Sequence, residues 1–477
     1  MNTYLFFDLE TTGLNRAFDQ VLQFSSIRTD LSFNELERHT FDIRLRSDVV
    51  PSPRAMIVNR IDIPTLLNGH SELSAITEIH RLFNRPGTIN LGYNTLGFDD
   101  EFLRFSFYRN LLPPYTHQFH HDCRRMDIFP IAILYYLFKQ DGINWPEKDG
   151  KPSLKLENLN TANQLAKGPA HDAMVDTVAT LALARLLSRQ EEMWQYVAGY
   201  FNKTIDSERL DALPVWFQSA AGPHRMGLMV NGGFGTESLF LAPVIAIGQS
   251  IPYKNQTLWM RVDRPELQET TPDTFDDTTW VIRKKLGEPG IILPPLDRYW
   301  QRIDAKRRSQ VEENRKWLTA NEPLMVDLIR YHREYRYPEV PDVDPDAALY
   351  ETGFMSKRDE EICRRFHAGD IKEKSRLIDR LTTPIHRELA RRLMVRNFEG
   401  DVSGKLTRRF NGFLKKVHPA THKDALVDYR GQRRTTPAVA LKEIESLRKE
   451  SHLDDTQKKV LDGLERYLKE WFYNEGA

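Results

Sequence analysis

Hydrophobic and polar positions along the chain fall into three successive regimes. Up to about residue 190, short apolar runs alternate with amphipathic stretches. Residues 3–7 are apolar and aromatic and read as a buried strand. Residues 88–93 are a second strand-like run closed by Asn94, residues 99–103 open a helix, and residues 177–187 carry the apolar period of a long helix. That alternation predicts an α/β unit, a mixed sheet flanked by helices. From about 200 to 340 the runs shorten. Val230, residues 239–247, 257–262 and 279–282 are separated by turn signals and predict a small β-rich unit with helical insertions. Gly232-Gly233-Phe234-Gly235 reads as a turn, because no helical pattern follows it as a phosphate-binding loop requires. Pro338, Pro341 and Pro345, interleaved with acids, predict a linker. Beyond it, residues 356–366, 371–381, 384–395, 437–450 and 456–471 are amphipathic, so the C-terminal third is expected to be helical. The expected division is 1–190, 195–342 and 346–477.

Candidate chemistry is concentrated in the first regime. The strand at 3–7 runs into Asp8-Leu9-Glu10, and side chains two apart in a strand point to one face. Two carboxylates about 4 Å apart repel by roughly 1 kcal/mol in water and about 4 kcal/mol at an effective dielectric near 20, so a fold that keeps them together calls for a cation. Thr11-Thr12-Gly13 then turns the chain out, with hydroxyls near whatever binds there. Asp99 starts the helix after Asn94 with its carboxylate free to face the same place. Taken alone it reads more readily as a helix cap, and Asp100 as an acid favoured by the helix dipole. In Ala170-His171-Asp172-Ala173-Met174-Val175-Asp176, Asp176 falls in the first turns of the long helix and His171 on the segment entering it, an arrangement of fixed ligand and movable base. A lone His and Asp at that spacing is more simply a surface residue and a dipole-compensating acid.

Each piece has a plain structural explanation, but the ordered set does not share one. Asp8-Leu9-Glu10-Thr11-Thr12-Gly13, Asn94 with Phe98-Asp99, and His171-Asp172-Ala173 with Asp176 resemble the DEDD exonuclease superfamily in its histidine-type branch. Gly92-Tyr93-Asn94, Phe107-Tyr108-Arg109-Asn110 and Gly142-Ile143-Asn144-Trp145-Pro146-Glu147 extend the resemblance to a bacterial exodeoxyribonuclease family within it. The match spans most of the first 190 residues and thins to local similarity such as Leu349-Tyr350 with Gly353-Phe354. The resemblance implies a ribonuclease H-like exonuclease domain, an SH3-like β-rich accessory domain and an all-helical C-terminal domain. It implies that Asp8, Glu10, Asp99 and Asp176 hold two Mg2+ ions, with Mn2+ able to substitute, and that His171 takes a proton from the attacking water. An imidazole titrating near pH ~6.5 suits that task. Thr11 is implied to touch the terminal 3′-hydroxyl. The implied reaction is 3′ to 5′ hydrolysis of single-stranded DNA to 5′-mononucleotides in DNA repair and recombination. The accessory domains are expected to arch over the site and admit one strand. A 3′ to 5′ exoribonuclease or a proofreading exonuclease would share the acids. A non-catalytic nucleic-acid-binding protein should have lost at least one of them, and none is lost.

Composition is compatible with this picture. The 477 residues, 40% hydrophobic, suffice for about three packed domains. Cys123 and Cys363 are too few for a disulfide scaffold and read as reduced thiols. No stretch approaches the roughly 20 apolar residues of a membrane span, and the N-terminus lacks a signal segment, so a cytoplasmic monomer is expected. The 67 basic and 67 acidic residues balance. Residues 401–450 hold 12 Lys or Arg against 6 Asp or Glu, so Arg408-Arg409, Lys415-Lys416 and Arg433-Arg434 are candidates for phosphate contact, with a solvated helix surface equally acceptable. The same resemblance implies that the acidic tail of single-stranded-DNA-binding protein docks on basic accessory side chains.

Overall fold

The computed structural model describes residues 2–169, 171–398, 400–450 and 452–473. Its first sheet contains β1 (Thr3–Thr11), β2 (Val21–Thr29), β3 (Glu35–Asp42), β4 (Thr88–Gly92) and β5 (Arg124–Asp127) in the order β3-β2-β1-β4-β5. β1 runs antiparallel to β2, with Asp8 opposite Ser25 and Glu10 opposite Gln23, and parallel to β4, which is parallel to β5. The carboxyl ends of β1, β4 and β5 therefore share one edge of the sheet, where the motifs lie.

β1 is buried on both faces, as the apolar run predicts. Leu5, Phe7 and Leu9 pack with residues of the helices Glu72–Phe83 and Asp99–Arg109, while Tyr4 and Phe6 join the core formed with the helices Ile128–Phe138 and Ala173–Ser188. Asp8 and Glu10 continue the face of Tyr4 and Phe6 by the two-residue period. The sheet face thus changes from apolar to acidic within one strand.

A two-stranded hairpin, β6 (Glu147–Lys148) with β7 (Lys151–Pro152), precedes the second region. There β8 (Val215–Ser219), β9 (Gly222–Val230), β10 (Leu241–Gln249), β11 (Gln256–Arg261), β12 (Val281–Lys285) and β13 (Ile291–Leu293) form an antiparallel sheet in the order β12-β11-β10-β9-β13, with β8 also on β9. This is the β-rich accessory unit expected. The glycine tetrad is a turn, with Gly232–Phe234 a single 3-10 turn and Gly235 at φ 72°. The helices Ala305–Ala320 and Glu322–Glu334 follow.

Beyond an irregular stretch at 335–344 the chain is helical, including Lys357–Ala368, Pro384–Asn397, Gly404–Val417, Pro437–Leu447 and Asp455–Phe472. These helices bury their apolar faces against the first region. Phe410, Phe413, Leu461 and Leu464 share a core with Leu22, Val49, Met56 and Ile63, and Leu389 and Met394 share one with Phe18 and Phe105. Phe410 and Phe413 are therefore core residues. Arg434, a candidate for phosphate contact or a solvated surface, is neither: it is 3% exposed and paired with the buried Asp48. Cys123 and Cys363 are free and buried. Among the described residues no helix is long and apolar enough to cross a membrane.

Candidate active site

The topology gathers the acidic motifs at one place. Asp8 and Glu10 leave β1 there, and Asp99 is the first residue of the helix that follows β4, with Phe98 rather than Asp99 as its N-cap. The helix Ala173–Ser188 is tied to β2 by the Ala173 N–H donating to Gln23 Oε1 at 3.1 Å and the Thr177 hydroxyl donating to the Ser25 carbonyl at 3.5 Å. That anchoring sets Asp176, in the helix's first turn, against the acidic end of β1. Glu10, His171 and Asp176 each place a ligand atom within 4.8 Å of the others.

Electrostatics join Asp8 and Asp99 to the same group. Burial, then Asp99, Glu10, Asp176 and Asp172, hold the Asp8 carboxyl well above the usual carboxylate range. Burial, Asp176 and Asp99 push Glu10 up to about 9. Burial raises Asp99 to about 8 against the opposing effect of its own backbone N–H, with Asp127 and Asp100 adding to the rise. Asp176 is raised by burial while the His171 backbone N–H, donating at 3.1 Å, pulls the other way. Among the described residues, no arginine or lysine pairs with any of these carboxylates.

Asp100 differs from its neighbour in every respect. Burial alone would raise it, but the guanidiniums of Arg104 and of Arg125 at 2.7 Å, with the His117 ring bonded at 2.8 Å, hold it far below the ordinary range. Its role is an ion pair in the core rather than dipole compensation at a surface.

His171 sits in the left-handed region at φ 63°, its side chain 46% exposed and its Nε2 3.7 Å from Glu157 Oε2. The Thr11 hydroxyl donates to the Gly13 carbonyl at 2.8 Å and the residue is buried, so its hydroxyl holds the turn that leaves β1. Asp172 caps the helix by accepting from the Met174 and Val175 N–H groups, both at 3.0 Å.

Asp127, at the end of β5, escaped the motif reading. Its carboxylate accepts the N–H groups of Asn94 at 2.8 Å, Leu96 at 3.1 Å and Phe129 at 2.9 Å, which fixes the strained turn at Asn94 (φ 61°) leading to Asp99. Burial still pushes it up to about 6. The signal available was an acid at the junction of a strand and an apolar helix, the position of an N-cap.

A set of partly buried oxygen donors with which, among the described residues, no arginine or lysine pairs fits a hard divalent cation, which takes carboxylate and water oxygens. Asp8, Glu10, Asp99 and Asp176, with His171 beside them, are the residues placed to serve.

This sheet, with acids converging at the parallel strand ends, defines an exonuclease domain, and residues 5–184 match the exonuclease family model. The chain is 40% identical over 379 residues to exodeoxyribonuclease I of Escherichia coli K12, covering 75% of this chain and 78% of that protein. The Haemophilus influenzae exodeoxyribonuclease I is 37% identical over 199 residues, 41% of this chain and 42% of that one. Among solved structures, E. coli exonuclease I in complex with a 5cy-dT13 oligonucleotide superposes with a TM-score of 0.85 at 26% identity, covering 99% of this chain and 100% of that chain. The chain belongs to the exodeoxyribonuclease I family and is a DNA exonuclease, a phosphodiester hydrolase.

Proposed function

We propose that this protein hydrolyses single-stranded DNA from its 3′ end, releasing 5′-mononucleotides, and serves DNA repair and recombination. The observation that carries the reading is the convergence of Asp8, Glu10, Asp99 and Asp176 in a partly buried cluster with which, among the described residues, no arginine or lysine pairs, beside His171. Solved relatives hold single-stranded oligonucleotides, dA16 and 5cy-dT13 among them. In this reading the four carboxylates hold two Mg2+ ions, for which Mn2+ substitutes. Such a pair supplies Lewis-acid activation of water, neutralises the charge of the phosphodiester and stabilises the leaving oxygen.

The protein's own groups do the rest. His171, exposed on the segment entering a rigid helix, takes the proton of the attacking water at a ring nitrogen. Its backbone N–H, bonded to Asp176 Oδ2, orients that carboxylate. Asp127 keeps the Asn94 turn from relaxing and so holds Asp99 at its station. Thr11 stands beside the terminal sugar. The division 1–190, 195–342 and 346–477 assigns catalysis to the first part and strand admission to the other two. The protein acts as a cytoplasmic monomer, and the acidic tail of single-stranded-DNA-binding protein docks on its basic accessory side chains.

The test is Mg2+-dependent release of mononucleotides from 5′-labelled and 3′-labelled single strands of DNA and RNA. DNA is expected to shorten from the 3′ end, and Asp8→Ala to lower the rate by about 10³-fold or more, as loss of a group that acts only as part of a unit does. Preferential attack on RNA, on blunt duplex or from the 5′ end would overturn the reading.

A further inference from the structure

The helix that starts at Asp99 has no side-chain cap. Its first turn is gripped by groups from two distant stretches of chain. Arg16 donates to the Gly97 carbonyl at 2.8 Å, pairs through Nε with Glu101 Oε2 at 2.9 Å, and lies 5.3 Å from the Phe98 ring centroid. One side chain thus spans residues 97–101, with Asp99 between its attachments. The other Glu101 oxygen accepts the hydroxyls of Tyr429 at 2.7 Å and Tyr350 at 3.0 Å, both from the C-terminal region. Those two rings meet edge to face at 4.8 Å and also pack on Phe105 of the Asp99 helix. A second link lies alongside, where Asn15 Nδ2 donates to Asp428 at 2.9 Å.

We propose that Tyr350 and Tyr429, acting through Glu101 and Arg16, are positioning residues that fix the Asp99 carboxylate for metal binding. The inference rests on the reading of Asp99 as a metal ligand. Asp99 stands among like charges at the first position of a helix that has no side-chain cap, where side-chain order depends on neighbouring groups. A carboxylate two residues on, with both oxygens engaged by donors from outside the helix, removes that freedom. These two tyrosines of the C-terminal region would then support the catalytic site without themselves touching substrate. Partners behind metal ligands typically contribute about 10–100-fold to metal affinity or activity.

The test uses Tyr350→Phe/Tyr429→Phe, which removes two hydroxyls and keeps the packed rings, and Arg16→Gln, which leaves the C-terminal packing untouched. Mn2+ binding to the DNA-free protein is titrated by electron paramagnetic resonance, and kcat and KM are measured on single-stranded DNA. Both variants are expected to bind Mn2+ about 10-fold more weakly and to lose about 10-fold in kcat, with KM within about two-fold. Arg54→Gln, at an exposed contact with Glu450 elsewhere on the same C-terminal region, should change none of these. If the variants lower only the thermal midpoint, with Mn2+ binding and kcat at wild-type values, the cluster merely joins the two regions and the proposal fails. Wild-type protein that binds no Mn2+ would instead overturn the metal reading of Asp99 itself.

Discussion

Two groups of buried carboxylates in this molecule meet opposite fates. At the end of β1, Asp8, Glu10, Asp99 and Asp176 lie together with their proton affinities raised. Where the helix Pro384–Asn397 crosses the first region, Asp48, Glu72, Asp344 and Asp346 are more deeply buried than Asp8 and Asp176, yet Asp48, Glu72 and Asp346 are held below the usual range. The difference is counter-charge. Arg396 reaches Asp48 at 2.8 Å and Asp346 at 2.5 Å, Arg392 reaches Asp344 at 2.6 Å, and Arg46 pairs with Glu72 at 2.9 Å, with Arg434 against Asp48. Burial penalises a lone charge in both places, and only in the second has the fold supplied the partner itself. A buried acid cluster left without protein cations marks a site; the same acids with guanidiniums mark a staple between regions.

Breaking the staple should give the largest change in stability. Arg396→Ala strips Asp48 and Asp346 of their shared partner, leaving only the longer contacts of Arg46 and Arg434 to Asp48 and of Arg392 to Asp346, at a cost of up to about 3–5 kcal/mol measured by urea denaturation. Asp8→Asn, at an acid that no arginine or lysine pairs with among the described residues, removes repulsion instead and is expected not to lower the midpoint of the metal-free protein. A loss of stability at Asp8 equal to that at Arg396 would erase the distinction.

The two groups should also respond to pH in opposite directions. Glu10 and Asp99, lifted to about 9 and about 8, keep their protons in the folded metal-free protein after the unfolded chain has released its own. Their contribution is fully present below the ordinary carboxylate range of about 4 and is lost as the pH climbs through about 8 to 9. Asp48 and Asp346 are depressed, so theirs is present above about 4 and lost only as the pH falls below it. Thermal midpoints in chelator should therefore decline from pH 6 to 9. A divalent cation at about 100 times its dissociation constant should restore about 2.7 kcal/mol at the alkaline end. A decline that persists unchanged with saturating Mn2+ would show that the titrating groups lie outside the cluster.

How much of this was legible in the sequence follows from where the partners lie. The strand carrying Asp8 and Glu10 announced itself because its apolar run and its acids share one period, and the helices at Asp99 and Asp176 because their apolar spacing is local. β3 was not singled out. It is an edge strand whose positions are exposed or only half-buried, so little apolar alternation marks it. Asp99 and Asp100 are adjacent in sequence, yet one joins the acidic cluster and the other the ion pairs. That choice is made by Arg125 and His117, residues that only the folded sheet brings near. Arg433-Arg434 likewise looked like surface charge, and the partner that draws Arg434 inside is Asp48, far away in the chain.

The smallest effect should come from a third kind of pair, which separates geometry from environment. Arg54 and Glu450 meet at 3.0 Å, close to the Arg396 contact with Asp48, and also join the first region to the C-terminal helices. Their side chains are 60% and 29% exposed, where the Arg396 pair is 2% and 0%. Water screens the attraction and solvates either charge left alone, so Arg54→Gln should cost only about 0.2–1 kcal/mol, most of it lost in high salt. A cost approaching that of Arg396→Ala would mean that distance, rather than burial and the penalty on an orphaned charge, sets the strength of these contacts, and the contrast between staple and site would need another physical basis.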